Sequence, residues 1–426
     1  MSMIDYDARP VTPQVVLVGQ RASAVGYSIR DFLSRNGVPY EWVEIDDTER
    51  AAALLRAGES GPDHLPVCIL PSGIRLAPAT LEAVAAGLGL VSAPTLSEYD
   101  LTIVGAGPAG LAAAVYAASE GLRAVAVESV APGGQAGTTS MIENYLGFPQ
   151  GISGSELANR ATAQVKRFGA EILLARRVID IEKDGLGYVA SLSDGASVRS
   201  RALLLAGGVD WRRLDVPGID ELLGSGVYYG AGPSEAVTCA GCRVAIIGGG
   251  NSAGQAVIRF SRYAAHVTLL VRGPSLEASM SQYLISQVSK LSNVEIRTSA
   301  EVVELESDTR LRALKVSSGG SVDRMPAEAL FLCIGGVPRT SGVAGVGIAL
   351  DRAGYVRTGA ELSASAGALD GWPLQRQPLP LVTNLPGLFA AGDVRSASIK
   401  RCAAAIGEGS MAVALVHQRL AETGGD

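Results

Sequence analysis

Apolar residues along this chain fall in short continuous blocks separated by glycine turns and amphipathic or alanine-rich stretches. Val15-Val-Leu-Val18, Leu101-Thr-Ile-Val104, Ala124-Val-Ala-Val127, Ala202-Leu-Leu-Leu205, Val244-Ala-Ile-Ile247, Val267-Thr-Leu-Leu270 and Ala329-Leu-Phe-Leu332 are four residues each. Unbroken apolar runs of that length predict strands covered on both faces. Between them, helical spacing predicts helices over Tyr27–Arg35, Asp47–Arg56, Ala79–Leu88, Leu111–Ser119, Gly154–Gly169 and Ala253–Tyr263. Further strands are expected at Glu41–Ile45, around His64–Leu70, and at Glu171–Leu174 and Tyr188–Ser193. Strands alternating with helices in this way define an α/β protein.

Two junctions carry chemistry. Leu101–Val104 runs into Gly105-Ala-Gly107-Pro108-Ala109-Gly110 and then the alanine-rich helix. Gly105 allows the tight turn, Gly107 lets backbone approach a pyrophosphate, and Gly110 lets helix and strand pack closely. The phosphates would sit on the helix N-terminus, where unpaired N–H groups favour anions. The next strand ends in Glu128, 23 positions after Gly105, where a carboxylate can accept hydrogen bonds from ribose hydroxyls. The second junction is Arg243–Ile247 followed by Gly248-Gly-Gly250-Asn251-Ser252-Ala253. Counting the same 23 positions from Gly248 reaches Val271, followed by Arg272. An acid there would repel a 2′-phosphate and an arginine would bind it, so the second site is expected to favour NADPH over NADH.

Composition narrows the class. The 426 residues are 47% hydrophobic and 18% charged, which suits two or three packed domains. A net charge of −6 argues against a nucleic-acid surface. No apolar run approaches the ~18 residues of a membrane span, and MSMIDYDARP shows no secretory signal pattern. Five cysteines in so long a chain are no disulfide framework, so a cytoplasmic protein is expected.

After Glu128, Pro132-Gly-Gly134-Gln135-Ala-Gly137 and Ile142-Glu-Asn144-Tyr-Leu-Gly-Phe-Pro149 resemble the flavin-wrapping segments of low-molecular-weight thioredoxin reductases. The resemblance runs from about Tyr99 to Leu420 and takes in Leu385-Pro-Gly-Leu-Phe-Ala-Ala-Gly392-Asp393. It implies FAD and NADPH as cofactors and two Rossmann-like three-layer domains, with an FAD domain (96–212 and 332–426) split by an inserted NADPH domain (213–331). It implies that Gly134, Gln135 and Asn144 line the flavin and that Asp393 holds the ribityl chain. Lys400-Arg401-Cys402 stands where the family has Arg-Gln-Ala, against the pyrimidine edge. A helix beginning near Gly407–Ser410 would aim its positive end at flavin O2. Arg401 reads equally as a cation beside the flavin and as a local salt-bridge partner. Two orientations of the nucleotide domain are implied, hinged near Val209–Pro217 and Met325–Cys333, and so is a homodimer.

Residues 1–95 resemble a glutaredoxin- or thioredoxin-like domain, with Leu65-Pro66-Val67 at the place of that fold's cis-proline. The active turn of that fold needs a cysteine, and Gly19-Gln-Arg-Ala-Ser-Ala24 has none, so docking or dimerisation is the expected use. Cys68 reads as packing. Ser92-Ala-Pro-Thr-Leu-Ser97 is the linker.

The family's redox Cys-x-x-Cys falls, counting back from Gly248, on Ala231-Gly232-Pro233-Ser234, which has no cysteine. Cys239-Ala-Gly-Cys242 lies just downstream. It is read as incidental thiols, with a redox pair, zinc or regulation as alternatives; no second pair completes a four-cysteine zinc site, and no metal is expected. Cys402 is either a flavin-facing charge-transfer thiolate or a packing residue. His64, His266 and His417 form no triad. The chain is therefore expected to pass hydride from NADPH to FAD and on to a small-molecule or small redox-protein acceptor that is not thioredoxin. Three rivals stand beside that expectation. One is a ferredoxin or flavodoxin reductase, another is a disulfide reductase or dithiol oxidase using Cys239 and Cys242, and the third is a flavin-holding redox sensor.

Overall fold

The structure, a computed structural model, describes residues 14–424 except 21–22, 92, 140–141, 143–144, 220–221, 224, 230, 232–235, 237 and 363–371. The chain divides into two compact units after Val91.

The N-terminal unit contains β1 (Val15–Gly19), α1 (Ala24–Arg35), β2 (Tyr40–Glu44), α2 (Thr48–Leu54), β3 (Val67–Ile69), β4 (Arg75–Leu76) and α3 (Leu81–Gly87). The sheet order is β2-β1-β3-β4, with β1 parallel to β2 and antiparallel to β3. α1 begins three residues before its apolar periodicity because the Ser23 hydroxyl accepts the Gly26 N–H at 3.0 Å, a side-chain N-cap. The expected strand entry at His64 is instead a 3₁₀ turn (Pro62–His64) followed by a cis Leu65–Pro66 bond. Ala77–Pro78 is also cis. Cys68 is fully buried on β3, and burial pushes its thiol up to about 12, which fits packing and no redox role.

The second unit opens with β5 (Tyr99–Val104), α4 (Pro108–Ser119), β6 (Ala124–Val127), α5 (Gly154–Phe168), β7 (Glu171–Leu173), β8 (Val178–Asp184), β9 (Gly187–Leu192) and β10 (Ser197–Leu205). β7-β6-β5-β10 are parallel, and the antiparallel hairpin β9-β8 extends the sheet. After β10 come β11 (Val209–Trp211), β12 (Val227–Tyr229), β13 (Arg243–Ile247), α6 (Asn251–Phe260), β14 (His266–Val271), α7 (Gln282–Val288) and β15 (Val294–Thr298). β16 (Ala300–Ser307), β17 (Leu311–Ser318) and β18 (Ser321–Pro326) form an antiparallel sheet that apolar blocks alone did not signal. The chain closes with β19 (Ala329–Leu332), β20 (Gly336–Pro338), β21 (Leu388–Ala390) and α8 (Cys402–Thr423).

A second, all-parallel sheet has the order β12-β19-β13-β14-β15. β21 returns to the first sheet beside β10. Between Ala329 and Pro338 the chain forms two strands. β19 is wholly buried inside the second sheet, and the turn at Gly335 (φ +89°) frees β20 to pair antiparallel with β11. The connection between the two sheets is therefore this β11–β20 ribbon. α4 is apolar on almost every side, so it is buried on both: the first sheet lies under it and α8 lies over it.

Candidate active site

Each glycine turn sits at the carboxyl end of a central parallel strand, where α/β sheets bind nucleotides. Gly105 has φ +101°, and a Cβ there would lie 2.6 Å from the Ala206 carbonyl oxygen. A Cβ on Gly110 would fall 1.9 Å from the Gly105 oxygen, so only glycine lets α4 start this close to β5. Gly107 is the N-cap and makes no side-chain cap bond, and Pro108 has no N–H to offer. The remaining first-turn N–H groups of α4 have no intrahelical acceptor, the arrangement that suits an anion at a helix N-terminus. Gly134 (φ +53°) closes the cradle, since a Cβ there would stand 3.0 Å from the Gly107 Cα.

Glu128 is only 5% exposed, and its carboxylate accepts the N–H groups of Ala106 and Val130, both at 2.9 Å. It braces the first glycine turn from the end of the neighbouring strand, a role that counting positions did not reveal. Gln135 donates its side-chain amide to the Val209 carbonyl at 2.7 Å, which ties the flavin-loop glutamine to the β11–β20 ribbon. Asn144 lies outside the described residues.

Gly392 (φ +77°) brings the Asp393 turn against α4: a Cβ on Gly392 would be 3.1 Å from that of Ala109. Burial pushes the Asp393 carboxyl above the usual aspartate range. Lys400 donates to the Asp393 carbonyl and to the Ser398 hydroxyl, and its ammonium lies 4.4 Å from the centre of the Tyr355 ring. Arg401 is exposed and supplies the N-cap of α8 through its backbone, with no side-chain cap bond. The helix begins at Cys402, five residues before the expected Gly407, which moves its positive end onto the Asp393–Arg401 loop. Burial, with a smaller push from Asp393, raises the Cys402 thiol to about 11. A thiol so shifted is protonated at neutral pH, which favours the packing reading over the charge-transfer thiolate.

In the second turn, Gly248 has φ +148°, and a Cβ there would meet the Cys333 oxygen at 2.3 Å. Gly250 is the uncapped N-cap of α6. The Asn251 side-chain oxygen accepts the Ser281 N–H at 2.7 Å, and the Ser279 hydroxyl donates to the Gly249 carbonyl at 2.8 Å. Ser252 is exposed on the first turn of α6. Arg272 follows β14 with its side chain 82% exposed, 3.9 Å from the Glu301 carboxylate. It is an accessible cation beside the turn.

Cys239 and Cys242 are placed elsewhere. Cys239 is 5% exposed in the core of the second sheet, the Cys242 N–H bonds the Cys239 carbonyl, and no disulfide joins them. They precede β13, whose five residues at about 3.3 Å each put them roughly 16 Å from the Gly248 turn, at the opposite end of that strand. Of the segment Ala231–Ser234, only Ala231 is described, packed on that same core. No group of three or more His, Cys, Asp or Glu side chains that could hold a metal is found among the described residues. No helix among them is long and apolar enough to cross a membrane.

Comparison with known proteins agrees with this layout. The family model for pyridine nucleotide-disulphide oxidoreductases matches residues 99–409. The thioredoxin reductase of Listeria innocua is 33% identical over 324 residues, 74% of this chain and 91% of the relative. The thioredoxin reductase of Bacillus subtilis is 31% identical over 327 residues, 76% of this chain and 95% of the relative. Among solved structures, T. acidophilum thioredoxin reductase superposes with a TM-score of 0.67 at 28% identity, covering 76% of this chain and 99% of that one.

Proposed function

This chain belongs to the pyridine nucleotide-disulphide oxidoreductase family, and on that premise we propose that it passes hydride from NADPH to FAD and then electrons to an acceptor other than thioredoxin. Members of the thioredoxin reductase branch use FAD and NADPH, and the two glycine cradles fit those groups. The flavin supplies the two-electron chemistry, and the protein supplies binding, orientation and charge. On this reading α4 and Gly134 hold the pyrophosphate, Asp393 orients the ribityl chain, and the uncapped start of α8 presents N–H groups to the pyrimidine end. Gly248, Gly250, Asn251 and Ser252 shape the NADPH cradle, and Arg272 takes the 2′-phosphate.

The observation that carries the acceptor proposal is the missing thiol relay. Residues 231–234 contain no cysteine, and Cys239 and Cys242 sit about 16 Å from the nucleotide turn. A dithiol cannot be replaced by Ala or Ser in disulfide exchange. We assign the acceptor to a small molecule or small redox protein, the protein to the cytoplasm as a homodimer, and the N-terminal unit to a thioredoxin-like docking role without thiol chemistry. The domain limits 96–212, 213–331 and 332–426 belong to the same proposal.

The test is anaerobic mixing of purified protein with NADPH or NADH. Flavin colour that bleaches faster with NADPH supports the reading, and protein that binds no flavin ends it. Turnover is then compared on quinones, ferricyanide and a thioredoxin-type disulfide, using the wild type and a Cys239→Ser/Cys242→Ser double variant. Loss of disulfide turnover in that variant alone would hand the assignment to the dithiol alternative.

A further inference from the structure

Behind the Asp393 turn lies an ion pair that no sequence motif singled out. Glu408 stands on the second turn of α8, and Arg395 follows Asp393 by two residues. The Glu408 carboxylate accepts Arg395 Nη2 at 2.8 Å with one oxygen, and Arg395 Nε at 3.3 Å and the Gly392 N–H at 2.7 Å with the other. Both side chains are largely out of solvent, 15% and 17% exposed. Arg395 Nη1 continues to the Thr358 hydroxyl at 3.2 Å and the Ser396 carbonyl at 3.3 Å. The Thr358 N–H in turn donates to Glu361 at 3.2 Å.

One carboxylate and one guanidinium thereby join three separate pieces: α8, the Gly392–Val394 turn and the segment around Thr358. Two of those pieces would meet the flavin. The turn carries Asp393 and is pressed on Ala109 at the start of α4, while α8 begins at Cys402. Charge-assisted bonds of this kind are the strong ones, and a guanidinium left unpaired at such burial is costly. The Gly392 N–H would otherwise be an orphan donor in a left-handed turn, so Glu408 also selects that backbone conformation.

We propose that Glu408 and Arg395 are positioning residues for the flavin, fixing the Asp393 turn against the start of α8 and balancing each other's charge beneath the pyrimidine end. This rests on the FAD assignment above. Glu408→Gln keeps the shape and one acceptor oxygen but removes the nearer of the two carboxylates that face Arg395, leaving only Glu361 at 3.9 Å. Taking one negative charge away from beneath the flavin leaves the local charge more positive and favours the anionic reduced form, so the variant flavin becomes easier to reduce.

The experiment compares wild type with Glu408→Gln, Glu408→Ala and Arg395→Lys. The readouts are FAD release followed by fluorescence, flavin reduction equilibrated against a reference dye, and melting of the flavin-free protein. Expected are FAD release about tenfold faster in Glu408→Gln, from the loss of a charged hydrogen bond, and at least ~threefold more reduced flavin at the same dye ratio. Arg395→Lys, which keeps the charge and loses the fork, should speed release with little change in the dye equilibrium. If the variants lower only the melting temperature and leave release and the dye equilibrium at wild-type values, the pair is merely structural and the proposal falls. Wild-type protein that takes up no FAD would sink the underlying assignment instead.

Discussion

Two glycines on one helix should respond oppositely to the same substitution. Gly407 and Gly409 both lie inside α8. Around Gly407 nothing stands within 4 Å of an added Cβ, and the residue is exposed. Gly407→Ala should therefore gain the helix propensity difference, about 0.8–1 kcal/mol. At Gly409 the added carbon would sit 2.1 Å from the Ala109 carbonyl oxygen, with the Ala109 carbonyl carbon and Cα at 2.9 and 3.1 Å. That obstacle is backbone at the start of α4, not the end of a flexible side chain. To relieve it, α8 must move off α4 by about an ångström, an overpacking cost of roughly 1–3 kcal/mol or more.

After the same propensity gain, Gly409→Ala should lose up to about 2 kcal/mol net, placing the two variants roughly 1–3 kcal/mol apart. For a unit of this size that is a difference of about 1–4 °C in melting temperature, with Gly407→Ala above wild type and Gly409→Ala below. Thermal melts of the flavin-free proteins read this directly. If α8 begins at the flavin pocket, as proposed, Gly409→Ala should also release FAD faster, whereas Gly407→Ala should not. If both variants melt above wild type, the close approach of the two helices is wrong, and the assignment of the α8 start to the flavin pocket loses its basis.

Arg272→Ala should raise KM for NADPH in flavin reduction about tenfold or more, from loss of one charged contact to the 2′-phosphate, and leave KM for NADH within ~twofold. An equal loss with both nucleotides would refute the assignment. Cys402 should resist iodoacetamide, because a thiol raised from 9.0 to about 11 carries about a hundredfold less thiolate below pH 9 than an ordinary one. Its alkylation rate, followed by peptide mass spectrometry on flavin-free protein, should keep rising past pH 10; a plateau near pH 9 would show that burial does not control it.

The features legible in the amino-acid order alone were those whose cause is local. Each glycine turn was legible because an apolar strand, a forced positive φ and a helix start follow one another in the chain, so Gly105, Gly107, Gly110, Gly248 and Gly250 declare themselves. The missing cysteines at 231–234 and the arginine at 272 were equally plain, being facts of residue identity at a counted distance. Element edges were less legible: α1 begins earlier than its apolar pattern because of Ser23, and α8 begins five residues early with no side-chain N-cap to mark its start in the sequence.

Tertiary structure alone decided the features that depend on residues far apart in sequence. Glu128 as brace of the first turn, Gln135 bonded to Val209, and Glu408 paired with Arg395 over the Gly392 N–H all depend on strands and helices that the sheet order brings side by side. The same is true of where Cys239 and Cys242 lie, which β13 sets at the opposite end of its strand from the Gly248 turn. Apolar periodicity and glycine punctuation specify which segments become strands and helices, because those are contests settled within a few residues. Which side chain meets which backbone group across the fold is settled by packing the whole sheet, and no local pattern carries that information.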